Sequence, residues 1–280
     1  MKNPEPLHIL LTNDDGHQAP GIQALHRVMK RMGHRVSMVA PSSEQSATSM
    51  GVTSRRNLAL EQLETDYWHL DGQPADTVLV ALGHILEDNP PDLVVSGINF
   101  GPNLGTALHM SGTIGAAIMA TLNGVPSIAV SAGMRFDEVD TQFPSTYEVF
   151  EAAAGFTCSV IESLQDSADG NGRLLPKEIL LNINYPALPR DRIKGVLHPK
   201  ISAGNMIQLG YHRCTDTGHV VPGFYPGVNP EQPHKEAGDV RAHMEGYITI
   251  STIKPNWNPP AKKARKLEKR LEALTLDFPP

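Results

Sequence analysis

Asp14 and Asp15, adjacent carboxylates followed by Gly16, are the residues in this 280-residue chain with the clearest capacity for chemistry. They terminate the apolar run from Leu7 to Thr12, which reads as a buried strand. In open α/β sheets ligands collect beyond the carboxyl ends of the strands. Two anions side by side in such a crevice repel each other and are costly to desolvate, so a cation is their natural partner. Taken alone, the pair also fits a plain turn, with Asp14 capping the next helix and Gly16 at positive φ. Two further strand ends carry glycine-flanked, oxygen-bearing loops, one around Ser46 and one around Asn99. Carboxylates, a hydroxyl and an amide carbonyl make an all-oxygen ligand set, which suits Mg²⁺ or Mn²⁺. Ser111-Gly112-Thr113 opens a helix, where unsatisfied backbone N–H groups and the helix dipole can receive an anion. An ordinary Ser or Thr N-cap is the other reading of that tripeptide. The Asn99–Gly105 turn matches neither the Walker A nor the dinucleotide glycine spacing, and its glycines let backbone approach a ligand closely. A metal beside a phosphate-sized anion pocket indicates metal-assisted hydrolysis of a phosphate ester.

The elements needed to hold these residues are legible in order. Ile22, Leu25, Val28, Met29 and Met32 share one helical face, and Gly33 ends that helix. The segment 35–41 is a second strand stopped by Pro41, so the first two strands should be parallel with a right-handed crossover. The residues through Trp68–Asp71 alternate weakly, as strands or a hairpin. Helix is expected over 75–86, strand over 92–97, helix over 114–122, strand over 126–131, helix over about 145–165 and strand over 178–184. This alternation predicts an α/β fold: a doubly wound, Rossmann-like parallel sheet covered on both faces. Three regions follow: a core over 1–188, an irregular β-rich arm over 189–244, and a returning strand with a tail over 245–280. The tail, 262–271, is a basic helix with Leu267, Leu271 and Leu274 on one side and reads as a docking or dimerisation element.

Composition narrows the options. A net charge of −6 gives no global basic field for a nucleic-acid polymer. Two cysteines far apart make neither a zinc framework nor a disulfide scaffold, and Cys158 reads as a small buried hydrophobe. No apolar stretch reaches membrane-spanning length, and Pro4 and Pro6 interrupt the start of the chain where a leader would lie, so a cytoplasmic protein is expected. Among His198, His212, His219, His234 and His243 no pair has ligand spacing, and all five are expected to be exposed loop residues.

With these residues in hand, the chain resembles the stationary-phase survival protein SurE family of metal-dependent nucleotidases. The resemblance rests on Ile9-Leu10-Leu11-Thr12-Asn13-Asp14-Asp15-Gly16, Ser46-Ala47-Thr48, Gly72-Gln73-Pro74-Ala75-Asp76 and Val94 through Gly105. Ser111-Gly112-Thr113, Leu181-Asn182-Ile183-Asn184 and Glu245 through Ile250 complete it, in family order from residue 8 to about 252. It implies a protruding β-hairpin arm, a C-terminal segment exchanged between subunits, and a homodimer or homotetramer. It implies hydrolysis of nucleoside 5′-monophosphates, and sometimes 3′-monophosphates, with one Mg²⁺ or Mn²⁺ per subunit. The implied metal ligands are Asp14, Asp15, Ser46 and Asn99, with Asp14 and Asp15 catalytic and Asp15 favoured as the base that accepts the proton of the attacking water. The implied phosphate contacts are Asn103, Ser111, Gly112 and Thr113. Ser42, Gln45, Gln73, Thr106 and Met110 depart from the family pattern and alter the substrate rim. They keep open a catalytically weakened nucleotide binder, or a broader acid phosphatase or exopolyphosphatase. A receiver-like signalling domain would need an acceptor Asp at a later strand end, and Ser96-Gly97-Ile98-Asn99 offers none.

Overall fold

The computed structural model describes residues 5–168, 172–215, 218–226, 238–256, 258 and 261–271. Strand β1 (His8–Thr12) is wholly buried and leads through the Asp pair into α1 (Pro20–Arg31). Pro20 opens α1, where its missing N–H is harmless. Gly33, at φ +90°, ends it. Ile22, Leu25, Val28 and Met29 are buried as their spacing requires; Met32, grouped with them in the sequence, is the C-cap residue and is exposed. Next come β2 (Arg35–Pro41) and the antiparallel hairpin β3 (Leu60–Glu64) and β4 (Tyr67–Leu70). The helix expected over 75–86 is α2 (Pro74–Val80) widening into a π-helical turn, Ala81–Ile85. Asp76 begins α2 by closing a capping box, with Oδ2 accepting the Gln73 N–H at 2.9 Å.

Strand β5 runs from Leu93 to Phe100, three residues past its expected end. There follow α3 (Gly112–Leu122), β6 (Ser127–Ala132), α4 (Pro144–Glu148), α5 (Phe150–Asp166) and β7 (Leu180–Tyr185). The arm region holds the short β8 (Val196–Leu197) and the antiparallel ribbon β9 (Ile207–Arg213) and β10 (Val220–Pro226). It also holds a helix the sequence period did not reveal, α6 (Asp239–Met244), which packs Asp239, Val240, Ala242 and His243 inside the molecule. His243 is therefore not an exposed loop residue: it is buried, with one ring nitrogen bonded to the Asn184 carbonyl and Nδ1 unpartnered. His198 and His219 are exposed and outside regular elements as expected; His212 is exposed but lies on strand β9 rather than in a loop, and His234 lies outside the described residues. Strand β11 (Ile248–Ile253) returns antiparallel to β7, and α7 (Ala261–Leu271) forms the basic tail. Leu274 and the side chain of Leu267 lie outside the described residues.

The main sheet has the order β3-β4-β2-β1-β5-β6-β7-β11-β8 and is parallel from β4 to β7. The antiparallel β3 and β11 make it mixed. Helices α1 and α5 cover one face over a core of Ile9, Leu11, Leu25, Ile128 and Ile161, and α2 and α3 cover the other over Leu10, Val39, Val94 and Ala116. The chain order reverses between β1 and β5, and doubly wound sheets place their ligand crevice at such a switch point.

Candidate active site

The loops leaving β1 and β5 meet at this switch point. Asn13 Nδ2 donates to the Gly16 carbonyl at 2.8 Å and folds the 13–16 turn. The loop after β2 lies against that turn, with Gln45 N–H donating to the Asp14 carbonyl at 2.7 Å and His17 N–H to the Pro41 carbonyl at 2.9 Å. Ala19, not Asp14, is the N-cap residue of α1, so the plain-turn reading fails for Asp14.

Asp14 points at the start of α3. Its Oδ1 accepts the Thr113 hydroxyl at 2.5 Å, and the Gly112 and Thr113 N–H groups also bond to the carboxylate. Position 112 has no room for a side chain. A Cβ there would stand 2.8 Å from Asp14 Cβ and 3.0 Å from its Oδ2. Gly112→Ala is therefore expected to destabilise the protein by about 1–3 kcal/mol through overpacking and to weaken divalent-cation affinity. Urea denaturation and calorimetric Mn²⁺ titration read the two effects, and unchanged values in both would contradict the placement.

Asp15 is half-buried, and its Oδ2 accepts the Phe100 N–H at 3.0 Å. Burial, repulsion from Asp14 and a smaller contribution from Glu44 push its carboxyl up to about 7, against the Phe100 N–H, which favours the anion. Burial likewise raises Asp14, opposed first by the Thr113 hydroxyl and then by the backbone N–H groups. Among the described residues neither carboxylate has a cationic side chain acting on it. Two crowded carboxylates lacking a counter-charge fit a divalent cation. Among the described residues no group of three or more His, Cys, Asp or Glu side chains is arranged for a metal.

The other sequence-derived candidates are placed as follows. Ser46 is exposed, and its hydroxyl donates to Glu44 Oε1 at 2.9 Å. Asn99 Nδ2 donates to the Gly101 carbonyl at 2.7 Å, leaving its Oδ1 as the free ligand-type atom. The ladder between β5 and β6 shifts register between Ser96 and Asn99. Gly97, at φ +138°, allows this because a Cβ there would collide with the Val130 carbonyl oxygen at 2.2 Å. Ser111 is the N-cap of α3, its Oγ accepting the Ile114 N–H at 3.2 Å. Both readings of Ser111-Gly112-Thr113 thus describe the same helix start, whose N–H groups at Gly112 and Thr113 are shared with Asp14.

Asn103 is buried within a polar network that the sequence did not reveal. Its N–H donates to Asn184 Oδ1 at 2.8 Å, and its carbonyl accepts Asn182 Nδ2 at 2.9 Å and Asn184 Nδ2 at 3.0 Å. Its own Nδ2 donates to Ser131 Oγ at 2.9 Å. At the far end of the same loop, Gly105 N–H donates to Asp239 Oδ2 at 3.0 Å, while Oδ1 of that buried carboxylate accepts the Ser202 N–H at 2.8 Å. Asn182 and Asn184 occupy alternate positions of an otherwise apolar strand, which is the signal that could have marked them. Glu44, the partner of Ser46 and a neighbour of Asp15, was also missed.

Comparison with known proteins shows the family. The family model described as "Survival protein SurE" matches residues 9–208. A protein of Erythrobacter litoralis named 5′-nucleotidase SurE is 32% identical over 256 residues, covering 88% of this chain and 93% of the relative. One of the same name from Carboxydothermus hydrogenoformans is 39% identical over 218 residues, covering 76% and 77%. Among solved structures, the SurE protein from Aquifex aeolicus superposes with a TM-score of 0.76 at 30% identity, over 95% of this chain and 99% of that one. The match runs through the Asp pair and both loops that meet it, and on that ground the chain belongs to the SurE survival-protein family.

Proposed function

We propose that this chain is a divalent-metal-dependent 5′-nucleotidase that hydrolyses nucleoside 5′-monophosphates to nucleoside and phosphate, with 3′-monophosphates as further candidates. Relatives carrying the name 5′-nucleotidase align over most of the chain, and the activity comes with them. The observation that carries the reading is the crowded carboxylate pair, with Asp14 buried against a helix N-terminus and Asp15 half-buried beside it. Asp14, Asp15, Ser46 and Asn99 are the residues that would hold one Mg²⁺ or Mn²⁺, with Ser46 turning from Glu44 to do so. Such an ion supplies Lewis-acid charge neutralisation next to a phosphate ester.

The chain's own residues carry the remaining steps. Thr113 and the Phe100 N–H fix the two carboxylates, so their free oxygens are oriented before substrate arrives. A water attacks phosphorus and its proton passes to a carboxylate oxygen, assigned to Asp15 as the less buried of the pair; the ester P–O bond breaks, the departing nucleoside alkoxide takes a proton from solvent, and Asp15 returns its own to solvent. Ser111 keeps its hydroxyl hydrogen for a phosphoryl oxygen, since its Oγ already accepts the Ile114 N–H. Asn103 and the field of the α3 N-terminus oppose the charge on the transferring group. The departures at Ser42, Gln45, Thr106 and Met110 leave the carboxylate pair itself unchanged.

The same reading takes the chain as one SurE domain with an arm, assembled as a homodimer or homotetramer in the cytoplasm. Exposed Tyr211, Val220 and Tyr225 on the arm support assembly, as does an apolar groove along α3 lined by Leu108, Ile114, Ile118, Ile201 and Ile253. Among the described residues no helix is long and apolar enough to cross a membrane. Phosphate release from a panel of 5′- and 3′-nucleotides, with Mg²⁺, Mn²⁺ or EDTA, tests the proposal. The expected result is turnover of 5′-monophosphates that EDTA abolishes and added metal restores. Ligand-induced thermal stabilisation without release would identify a binder instead.

A further inference from the structure

Resting on the nucleotidase reading, we propose that Phe100, Phe143 and Tyr147 form an aromatic platform that receives the nucleobase and makes this enzyme prefer nucleotides over base-free phosphate esters. Phe100 follows Asn99 directly, and its own N–H holds Asp15 at 3.0 Å, so this ring belongs to the residue that braces the carboxylate pair. The ring is half-buried, with centroids 5.1 Å from Tyr147 and 6.1 Å from Phe143. Beneath it, Phe150 is only 4% exposed and already closes the core. Tyr147, at 50% exposure, is not needed for that closure. The residues leading to it, Phe136 and Val139, are also exposed at 43% and 60%.

The backbone of the segment supports a role beyond packing. Gln142 and Phe143 are consecutive non-glycine residues at φ 60° and 57°, a conformation disfavoured for side chains of this size. The turn is held by Phe143 N–H donating to the Glu138 carbonyl at 3.1 Å. It is held again by the Glu138 carboxylate, which accepts Ser145 N–H at 3.1 Å and Ser145 Oγ at 2.6 Å. Strain kept by such bracing collects where structure serves a ligand, and what this turn presents is the Phe143 ring, set edge-on to Phe100. Nucleobases stack on aromatic faces with little regard to their identity, because every base has a π-face. The platform therefore selects for the presence of a base, with the larger purines favoured over pyrimidines.

The test compares adenosine 5′-monophosphate with ribose 5-phosphate, which shares the phosphate and sugar but lacks the base. In wild type kcat/KM should favour the nucleotide. Tyr147→Ala should raise KM for the nucleotide about 5- to 100-fold, the loss of one stacking partner, while leaving ribose 5-phosphate within twofold. Tyr147→Phe retains the ring and should behave as wild type; a defect equal to that of Tyr147→Ala would overturn the stacking role. Tyr147 is half-exposed, so its variants should fold. Calorimetric titration of adenosine gives a readout independent of turnover, and its affinity should fall in Tyr147→Ala. Parallel changes for both substrates, no change in either, or an altered oligomeric mass with unaltered kinetics would each overturn the platform. Wild-type enzyme that releases phosphate from neither ester would instead overturn the nucleotidase reading, and adenosine binding lost in Tyr147→Ala would still support the platform.

Discussion

Asp14→Asn and Asp15→Asn are expected to lower phosphate release by at least about a thousandfold, equivalent to about 4 kcal/mol of transition-state stabilisation. Asparagine preserves the shape of each side chain and its capacity to accept from Thr113 or from the Phe100 N–H, so what disappears is the charge. Stability should move the other way. In metal-free protein the Asp15 carboxyl titrates at about 7, above its ordinary value. A raised carboxyl means that the folded state binds the proton more tightly than the unfolded chain. Its contribution is thus present at low pH and is lost as pH rises from about 4 through 7. In EDTA at neutral pH, Asp15→Asn should match or exceed wild type in thermal stability while being inactive when metal is restored. Turnover within tenfold of wild type at saturating Mn²⁺ would sink the assignment of these two residues.

The second large effect concerns acid. Burial holds His243 down to about 4, well below its ordinary value of 6.5, with the Asn184 carbonyl opposing the shift only in part. A depressed histidine is neutral in the fold while the unfolded chain takes up a proton. Stability associated with His243 is therefore complete above about pH 6.5 and is lost as pH falls from there through 4. The shift corresponds to about 3 kcal/mol. His243→Gln removes the titration, so the stability difference between wild type and variant, measured by denaturation across pH 4–7, should change by that amount in that window. A pH-independent difference would show that His243 titrates normally. Because His243 contacts Asn184, which clamps Asn103, acid should disturb the loop at Asn103 before the sheet melts.

Much of this was readable in the chain. The strand ending at Asp14-Asp15-Gly16, the alternation of strands and helices, and the oxygen-bearing loops at Ser46 and Asn99 all follow from local pattern and chemistry. Local pattern could not show which groups hold the site together. Asn184 lies 81 residues from Asn103 and Asp239 lies 134 from Gly105, and only the lateral order of the sheet makes them neighbours. Polar residues in an apolar strand look like interruptions until their partners are known. The helix carrying Asp239 and His243 spans six residues, too few for a period to register. The start of α3 was legible as an anion site, but not that Asp14 would share its donors, since Asp14 and Thr113 are 99 residues apart. Phe100 was passed over because its contribution to Asp15 comes from backbone, which residue type does not disclose.

The tie from Asp239 to Gly105 has a consequence for how the protein is made. Domains fold as the chain leaves the ribosome, N-terminal parts first. The Asp pair emerges ahead of the loop opposite it, and that loop gains its anchors only once Asn184 and then Asp239 have been synthesised. A growing chain stopped short of residue 239 has its carboxylates but not the fixed loop opposite them. Competence to hydrolyse a phosphate ester is therefore expected only once the chain has been made through Asp239, and a product truncated before it is expected to carry the sequence signature of the enzyme without its activity.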